Sequence, residues 1–115
     1  MLLIELSKLG FTNLHGIDYS SNAIDLAKAV CDKEQCSVNF FVKNIVDDVF
    51  ESKYKVCLDK GTYDAISLDP EDAKSKRLSY IKNSSELLED DGLLIITSCN
   101  WTDVELTQHF NSNVF

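Results

Sequence analysis

The sequence predicts an α/β fold in which parallel strands alternate with helices along the chain. Short apolar runs alternate with longer segments whose apolar residues recur at helical spacing. The last run, LLIIT at 93–97, is wholly apolar, as expected for a parallel strand buried on both faces. No internal repeat, low-complexity tract or linker interrupts the pattern. This order favours βαβ units over a helical bundle or a sandwich, within one domain over 1–115.

The beginning of the chain predicts a helix, a strand and a second helix. Leucines recur at helical spacing up to Gly10, a residue that often follows a helix end, which predicts a helix over 2–9. The run LHGID predicts a strand over 14–18 that ends in an acid. Capping candidates at 19–22 then precede a helical apolar pattern over 21–34.

The rest of the chain repeats this alternation. The runs VNFFV and YKVCL predict strands over 38–42 and 54–58. Pro70 disfavours helix at the residue before it, so the next helix is expected over 71–90. After the strand at 93–97, Thr102 is placed to cap a final short helix.

The charge of the chain narrows the classes of partner. The formal net charge is −8, and the acidic residues are spread along the chain rather than massed in a tail. Such a field repels nucleic acid and anionic membranes and favours a basic partner. Glu5 interrupts the apolar start, and no cleavage site follows, so we expect neither a signal peptide nor a membrane span. We expect a monomer in the cytosol, with the nucleus as a second compartment.

The four cysteines are expected to be reduced and buried, with no metal site. Cys31, Cys36, Cys57 and Cys99 form no CxxC pair, and no histidine lies near the first two. Cys57 and Cys99 lie inside apolar runs, where free cysteine behaves as a small hydrophobe.

Polar residues follow the predicted strands where a parallel sheet binds its ligands, at the carboxyl ends. Asp18 follows the first strand and could accept hydrogen bonds from a ribose diol. Asn44 and Ile45 follow the second strand and could hold an adenine edge and face. Asp59 follows the third and is succeeded by Lys60-Gly61-Thr62. We therefore predict a nucleoside-type ligand, with Asp18, Asn44 and Asp59 at one edge of one sheet.

Each of these residues also has a purely structural interpretation. Asp18 could cap the helix that follows it, and Asn44 is a common turn residue. Asp59 could form an ion pair with Lys60 or Lys55.

Three further side chains are given no chemical role. Trp101 is expected to pack against the end of the sheet. His15 and His109 are solitary and far apart in the sequence, so neither is assigned a function.

Three segments carry a resemblance to a known family. They are GFTNLHGIDYSSNAIDLA at 10–27, DKGTYDAISLDPEDA at 59–73 and GLLIITSCNWTDVEL at 92–106. The chain resembles the seven-β-strand S-adenosylmethionine-dependent methyltransferases, and within them the lysine methyltransferases that act on eukaryotic elongation factor 1-alpha. The similarity covers essentially the whole chain in the right order.

The resemblance implies a Rossmann-like parallel sheet with flanking helices, S-adenosylmethionine as cofactor and elongation factor 1-alpha as protein substrate. It places Asp18 at the cofactor-ribose acid, with Tyr19 just beyond it. Asn44 falls where the family usually has an acid near the adenine amino group. Asp59 falls beside the transferred methyl group, and the residues 60–62, with Lys60, Gly61 and Thr62, complete that motif.

The chain also departs from the family pattern. The four glycines, Gly10, Gly16, Gly61 and Gly92, form no GxGxG loop, which the family uses for the methionine part of the cofactor. The family's first strand, which lies between the strands predicted at 14–18 and 54–58, and its last two strands have no counterpart. We therefore expect a partial methyltransferase domain that is inactive alone. A non-catalytic binding or regulatory fragment, or another nucleotide-binding α/β module, remains the alternative.

Overall fold

The computed structural model describes residues 2–111, which divide into two compact units, up to Asn44 and from Ile45 onward. The first unit consists of α1 (Leu2–Lys8), β1 (His15–Asp18), α2 (Ser21–Lys33) and β2 (Asn39–Val42). The second unit consists of β3 (Tyr54–Lys60), α3 (Thr62–Ser67), α4 (Ala73–Leu87), β4 (Leu88–Thr97) and α5 (Asp103–His109). None of the described helices is both long and apolar enough to cross a membrane.

The first unit is a pair of parallel strands with a helical cover. β1 and β2 pair in parallel, with Gly16 opposite Phe40 and Asp18 opposite Val42. The buried face of α2 lies at helical spacing and joins residues of α1 and β2 in one core, made of Ile4, Ile24, Ala27, Cys31 and Phe40. Gly16 is required by this packing, because a Cβ there would lie 2.8 Å from the Phe40 ring.

The second unit contains the other parallel pair. β3 and β4 pair from Val56 opposite Leu93 to Lys60 opposite Thr97, with an irregular register before Val56. The crossover between them consists of α3 and α4, as expected for parallel neighbours. The core of this unit is aromatic and centres on Tyr63, Tyr80 and Ile81.

The predicted α/β class with parallel strands and flanking helices is confirmed, and the strands form two sheets of two strands each. The predicted helix over 71–90 is wrong at its end. α4 stops at Leu87, and Leu88 is already extended and pairs with Tyr54. Pairing with β3 therefore overrides the helical pattern that continues locally to Asp91-Gly92.

Two more details differ from the predictions. The short helix α3 was not predicted, since six residues are too few to show a helical period. The expectation that 93–97 is buried on both faces is also wrong. Leu93 and Ile95 are 62% and 49% exposed while Leu94 and Ile96 are half-buried, so one face of this sheet is covered in the described chain.

Candidate functional site

The carboxyl end of β3 is built around the buried carboxylate of Asp59. Its Oδ1 accepts the backbone N–H of Thr62 at 2.8 Å, and its Oδ2 accepts that of Tyr63 at 3.0 Å. The Tyr80 hydroxyl also donates to Oδ2. Gly61 adopts a φ of 97°, which turns the chain sharply from the strand into α3. Asp59 therefore supplies acceptors to the open N–H groups at the start of α3.

The aromatic core beneath Asp59 fixes the two tyrosines. Tyr63 is fully buried, and its ring centroid lies 5.0 Å from that of Tyr80 and 5.1 Å from that of Phe110. The Tyr63 hydroxyl forms a 2.8 Å hydrogen bond with Nδ1 of His109 on α5. Burial, and then the negative charge of Asp59, hold the pKa of Tyr80 far above its usual range. Tyr80 therefore remains a protonated donor to Asp59.

This raised pKa predicts a loss of stability in alkaline solution. Above pH 10 the unfolded chain ionises Tyr80 while the folded chain keeps it protonated, so the free energy of unfolding falls as pH rises. The contribution of this one group is about 1.4 kcal/mol per pH unit. Urea unfolding between pH 9.5 and 11 should show a steeper decline for the unaltered protein than for Tyr80→Phe. Equal slopes for the two proteins would contradict the assignment.

The carboxyl end of β4 is tied to α3 by a second carboxylate. Asp64 accepts the Ser98 hydroxyl on Oδ1 at 2.6 Å and the Cys99 backbone N–H on Oδ2 at 2.8 Å. The Ser98 Oγ in turn accepts the backbone N–H groups of Asn100 and Trp101 at 3.1 and 3.0 Å. The turn 98–101 is thus held on α3 by side-chain hydrogen bonds rather than by packing alone.

Trp101 packs against the aromatic core of the second unit, and three side chains from the helices contact its indole. The indole Nε1–H donates to the Ser67 Oγ at 3.2 Å. The Arg77 guanidinium carbon lies 5.5 Å from the ring centroid, within the range of a cation–π contact. His109 meets the indole edge-on at 4.7 Å. No local pattern in the sequence indicated the role of His109, because its partners come from distant elements.

The first unit places the other predicted cofactor ligands after β1. Asp18 is half-buried, and its Oδ1 accepts the Ser20 backbone N–H at 2.9 Å. The helix cap is Ser20, whose Oγ accepts the Ala23 N–H, so the alternative that Asp18 is the N-cap is wrong. Within residues 2–111, Asp18 Oδ2 makes no hydrogen bond. Tyr19 follows with 79% of its surface exposed.

Asn44 and Ile45 fall on either side of the boundary between the units. The Ile45 side chain is half-buried against the Tyr63–Tyr80 core of the second unit. Its carbonyl oxygen accepts the Asn83 Nδ2 at 2.7 Å. Ile45 thus has a packing role of its own. Asp18 follows a strand of the first sheet and Asp59 a strand of the second, so the prediction that Asp18, Asn44 and Asp59 lie at one edge of one sheet is wrong.

The proposed ion pair of Asp59 is wrong. In the described chain its carboxylate meets two backbone amides and a hydroxyl, as above, and Lys55 pairs instead with Asp91 at 3.7 Å. Lys60, Gly61 and Thr62 are all exposed at the end of β3. They are therefore accessible to a ligand.

The cysteines are free, but they are not all buried. Cys31 is buried, and Cys57 is half-buried in β3, where burial raises the pKa of its thiol. Cys99 is exposed in the turn after β4, so the expectation that it is a buried hydrophobe is wrong. The apolar run ends at Thr97, and the chain leaves the sheet before Cys99.

A groove of about 290 Å³ lies in the second unit. It is lined by residues of the 46–50 segment, which precedes β3, and of the last turns of α4, which leads into β4.

The chain belongs to a methyltransferase family: the family described as "Methyltransferase domain" matches it over residues 1–115. The fold agrees, because the solved structure StiE O-MT superimposes with a TM-score of 0.66 over 95% of this chain and 40% of that one. At 22% identity this likeness concerns the fold alone, a Rossmann-like α/β fold.

Relatives of higher identity are protein-lysine methyltransferases by name. The chain is 46% identical to EEF1A lysine methyltransferase 2 of Mus musculus, over 96% of this chain and 46% of that protein. It is 43% identical to protein-lysine N-methyltransferase efm4 of Schizosaccharomyces pombe, over 89% of this chain and 45% of that protein. The chain thus spans about half the length of the curated relatives it matches.

Proposed function

We propose that the protein is an S-adenosylmethionine-dependent protein-lysine N-methyltransferase whose substrate is elongation factor 1-alpha. The observation that carries this proposal is the 46% identity to EEF1A lysine methyltransferase 2, which extends over 96% of the chain. The alternation of parallel strands and helices fits the same class of enzyme.

Asp18 fits the proposed role of ribose ligand. Its carboxylate is half-buried and held in place through Oδ1, while Oδ2 makes no hydrogen bond in the described chain. A carboxylate oxygen in that state can accept a hydrogen bond from a ribose hydroxyl. Tyr19 would lie beside the same part of the cofactor, and Asn44 and Ile45 would contact the adenine.

The chemistry requires little of the protein beyond positioning. When bound, S-adenosylmethionine supplies a methyl group on a sulfonium. The lysine amine that receives this group would have to be neutral, having lost its proton to water beforehand. The chain's own residues would align the amine and exclude water around it. Asp59 orders α3, and the exposed residues 60–62 would line the approach to the amine.

The charge of the chain supports a basic protein substrate. A net charge of −8 attracts cationic surfaces and speeds encounter at low ionic strength. We therefore expect the methylation rate to fall as the salt concentration is raised.

The experiment is methylation of purified elongation factor 1-alpha, read by mass spectrometry of its lysines, with calorimetry of S-adenosylmethionine binding. Asp18→Ala should weaken cofactor binding by about 5- to 150-fold, the equivalent of about 1–3 kcal/mol. Asp25→Ala, an exposed acid on α2, is the matched control and should leave the Kd unchanged. An unaltered Kd for Asp18→Ala would show that Asp18 does not bind the cofactor and serves only to hold the Ser20 N–H in the turn after β1. Cofactor binding without methylation would favour the non-catalytic alternative.

A further inference from the structure

The turn 98–101 occupies a position at which a substrate can be received. Lys60 pairs opposite Thr97, so the carboxyl ends of β3 and β4 lie side by side in the second unit. In parallel α/β folds, ligands bind at this edge. The turn follows directly on β4, and the exposed residues 60–62 follow on β3.

The turn is anchored on α3 by two side chains of that helix, Asp64 and Ser67. Asp64 holds Ser98 and Cys99, and Ser67 holds the indole of Trp101. The Arg77 guanidinium lies over the same indole. These contacts from two helices give the turn one conformation and little freedom.

Asn100 is the exception in this turn. Its backbone N–H is bonded to Ser98, but its carboxamide is exposed and makes no hydrogen bond anywhere in residues 2–111. The carboxamide carries one acceptor oxygen and two N–H donors. It can therefore accept from an amine and bond a peptide backbone, which are the groups that a lysine in a protein presents.

We infer that Asn100 contacts the protein substrate beside its lysine, and that Asp64 is the positioning residue that holds Asn100 there. The inference rests on the proposed function. It assigns no proton transfer to either residue: the carboxamide orients the substrate by hydrogen bonding, and Asp64 acts only through the Ser98–Cys99 bonds.

The test is steady-state methylation kinetics in which the concentrations of elongation factor 1-alpha and S-adenosylmethionine are varied separately. The protein is purified in the form that cells make. Asn100→Ala should raise the KM for the protein substrate about tenfold, the value of one good hydrogen bond. The Kd for S-adenosylmethionine and the Tm should stay unchanged. Gln108→Ala removes another exposed carboxamide, from α5, and is the matched control.

Asp64 is tested through its coupling to Asn100. Asp64→Ala should raise the same KM, and Asp64→Asn, which keeps one acceptor oxygen, should restore part of it. Adding Asn100→Ala to Asp64→Ala should cause little further loss, because the carboxamide is already displaced. Fully additive effects would show that Asp64 is only structural, and an unchanged KM for Asn100→Ala would overturn the inference. If the unaltered protein methylates nothing, the proposed function itself fails, and the inference falls with it.

Discussion

Asp59→Ala is expected to destabilise the second unit by about 3–5 kcal/mol, because each donor left buried without an acceptor costs about 1–3 kcal/mol. Two buried donors lose their partner, the Tyr63 backbone N–H and the Tyr80 hydroxyl, and so does the N–H of the exposed Thr62. Since a domain is stable by only about 5–15 kcal/mol, this is a large share of the total. Urea unfolding followed by the fluorescence of Trp101, the single tryptophan, measures it directly.

The controls for Asp59 separate two possible roles. Asp90→Ala removes an exposed acid from β4 and should change stability by less than about 0.5 kcal/mol. Asp59→Asn keeps one acceptor oxygen and should lose less stability than Asp59→Ala. If Asp59→Asn folds stably and still methylates at the normal rate, the carboxylate serves α3 alone. A folded Asp59→Asn protein with a reduced kcat would support the predicted place of Asp59 beside the transferred methyl group.

Tyr63→Ala is expected to cost about 3–5 kcal/mol, as for other large aromatic side chains deleted from a core. Tyr63 is the fully buried centre of the second unit, in ring contact with Tyr80, Phe110 and His109. Its loss would also free α5, whose residues include none that is buried. The same fluorescence-detected unfolding applies.

A matched series shows which part of Tyr63 matters. Tyr63→Phe keeps the ring and loses only the hydrogen bond to His109, so we expect a cost of about 1 kcal/mol. Leu68→Ala truncates a side chain that is 70% exposed and should have little effect. A cost for Tyr63→Ala no greater than that for Leu68→Ala would show that the aromatic core does not carry the stability of this unit.

Both predictions give the segment 59–64 a strong structural role. Asp59 orders the start of α3, Tyr63 fills the core beneath it, and Asp64 holds the turn after β4. Their shared task is to place two exposed loop segments side by side at the carboxyl edge of one parallel pair. Rigid support of this kind is what a site for an aligned displacement reaction requires.

Local sequence determined most of the elements, α3 and the end of α4 excepted. The leucine spacing before Gly10 and the apolar runs of β1, β2 and β3 predicted their positions closely, because periodicity depends only on neighbours along the chain. The sequence also predicted that Thr102 caps the last helix, and the reciprocal hydrogen bonds between Thr102 and Glu105 confirm this. The family resemblance also lay in the sequence, in the segments around 59–73 and 92–106.

Tertiary structure decided what the side chains of those segments do. Asp59 looked like an acid facing a ligand, yet its carboxylate is buried on three protein donors, one of which comes from Tyr80, distant in sequence. His109 carried no local signal, and it acquired a role only when α5 packed onto Tyr63. Likewise Leu88 is extended rather than helical because it pairs with Tyr54 of β3. Hydrogen bonds and burial between distant residues are set by the folded chain as a whole, so local patterns do not contain them.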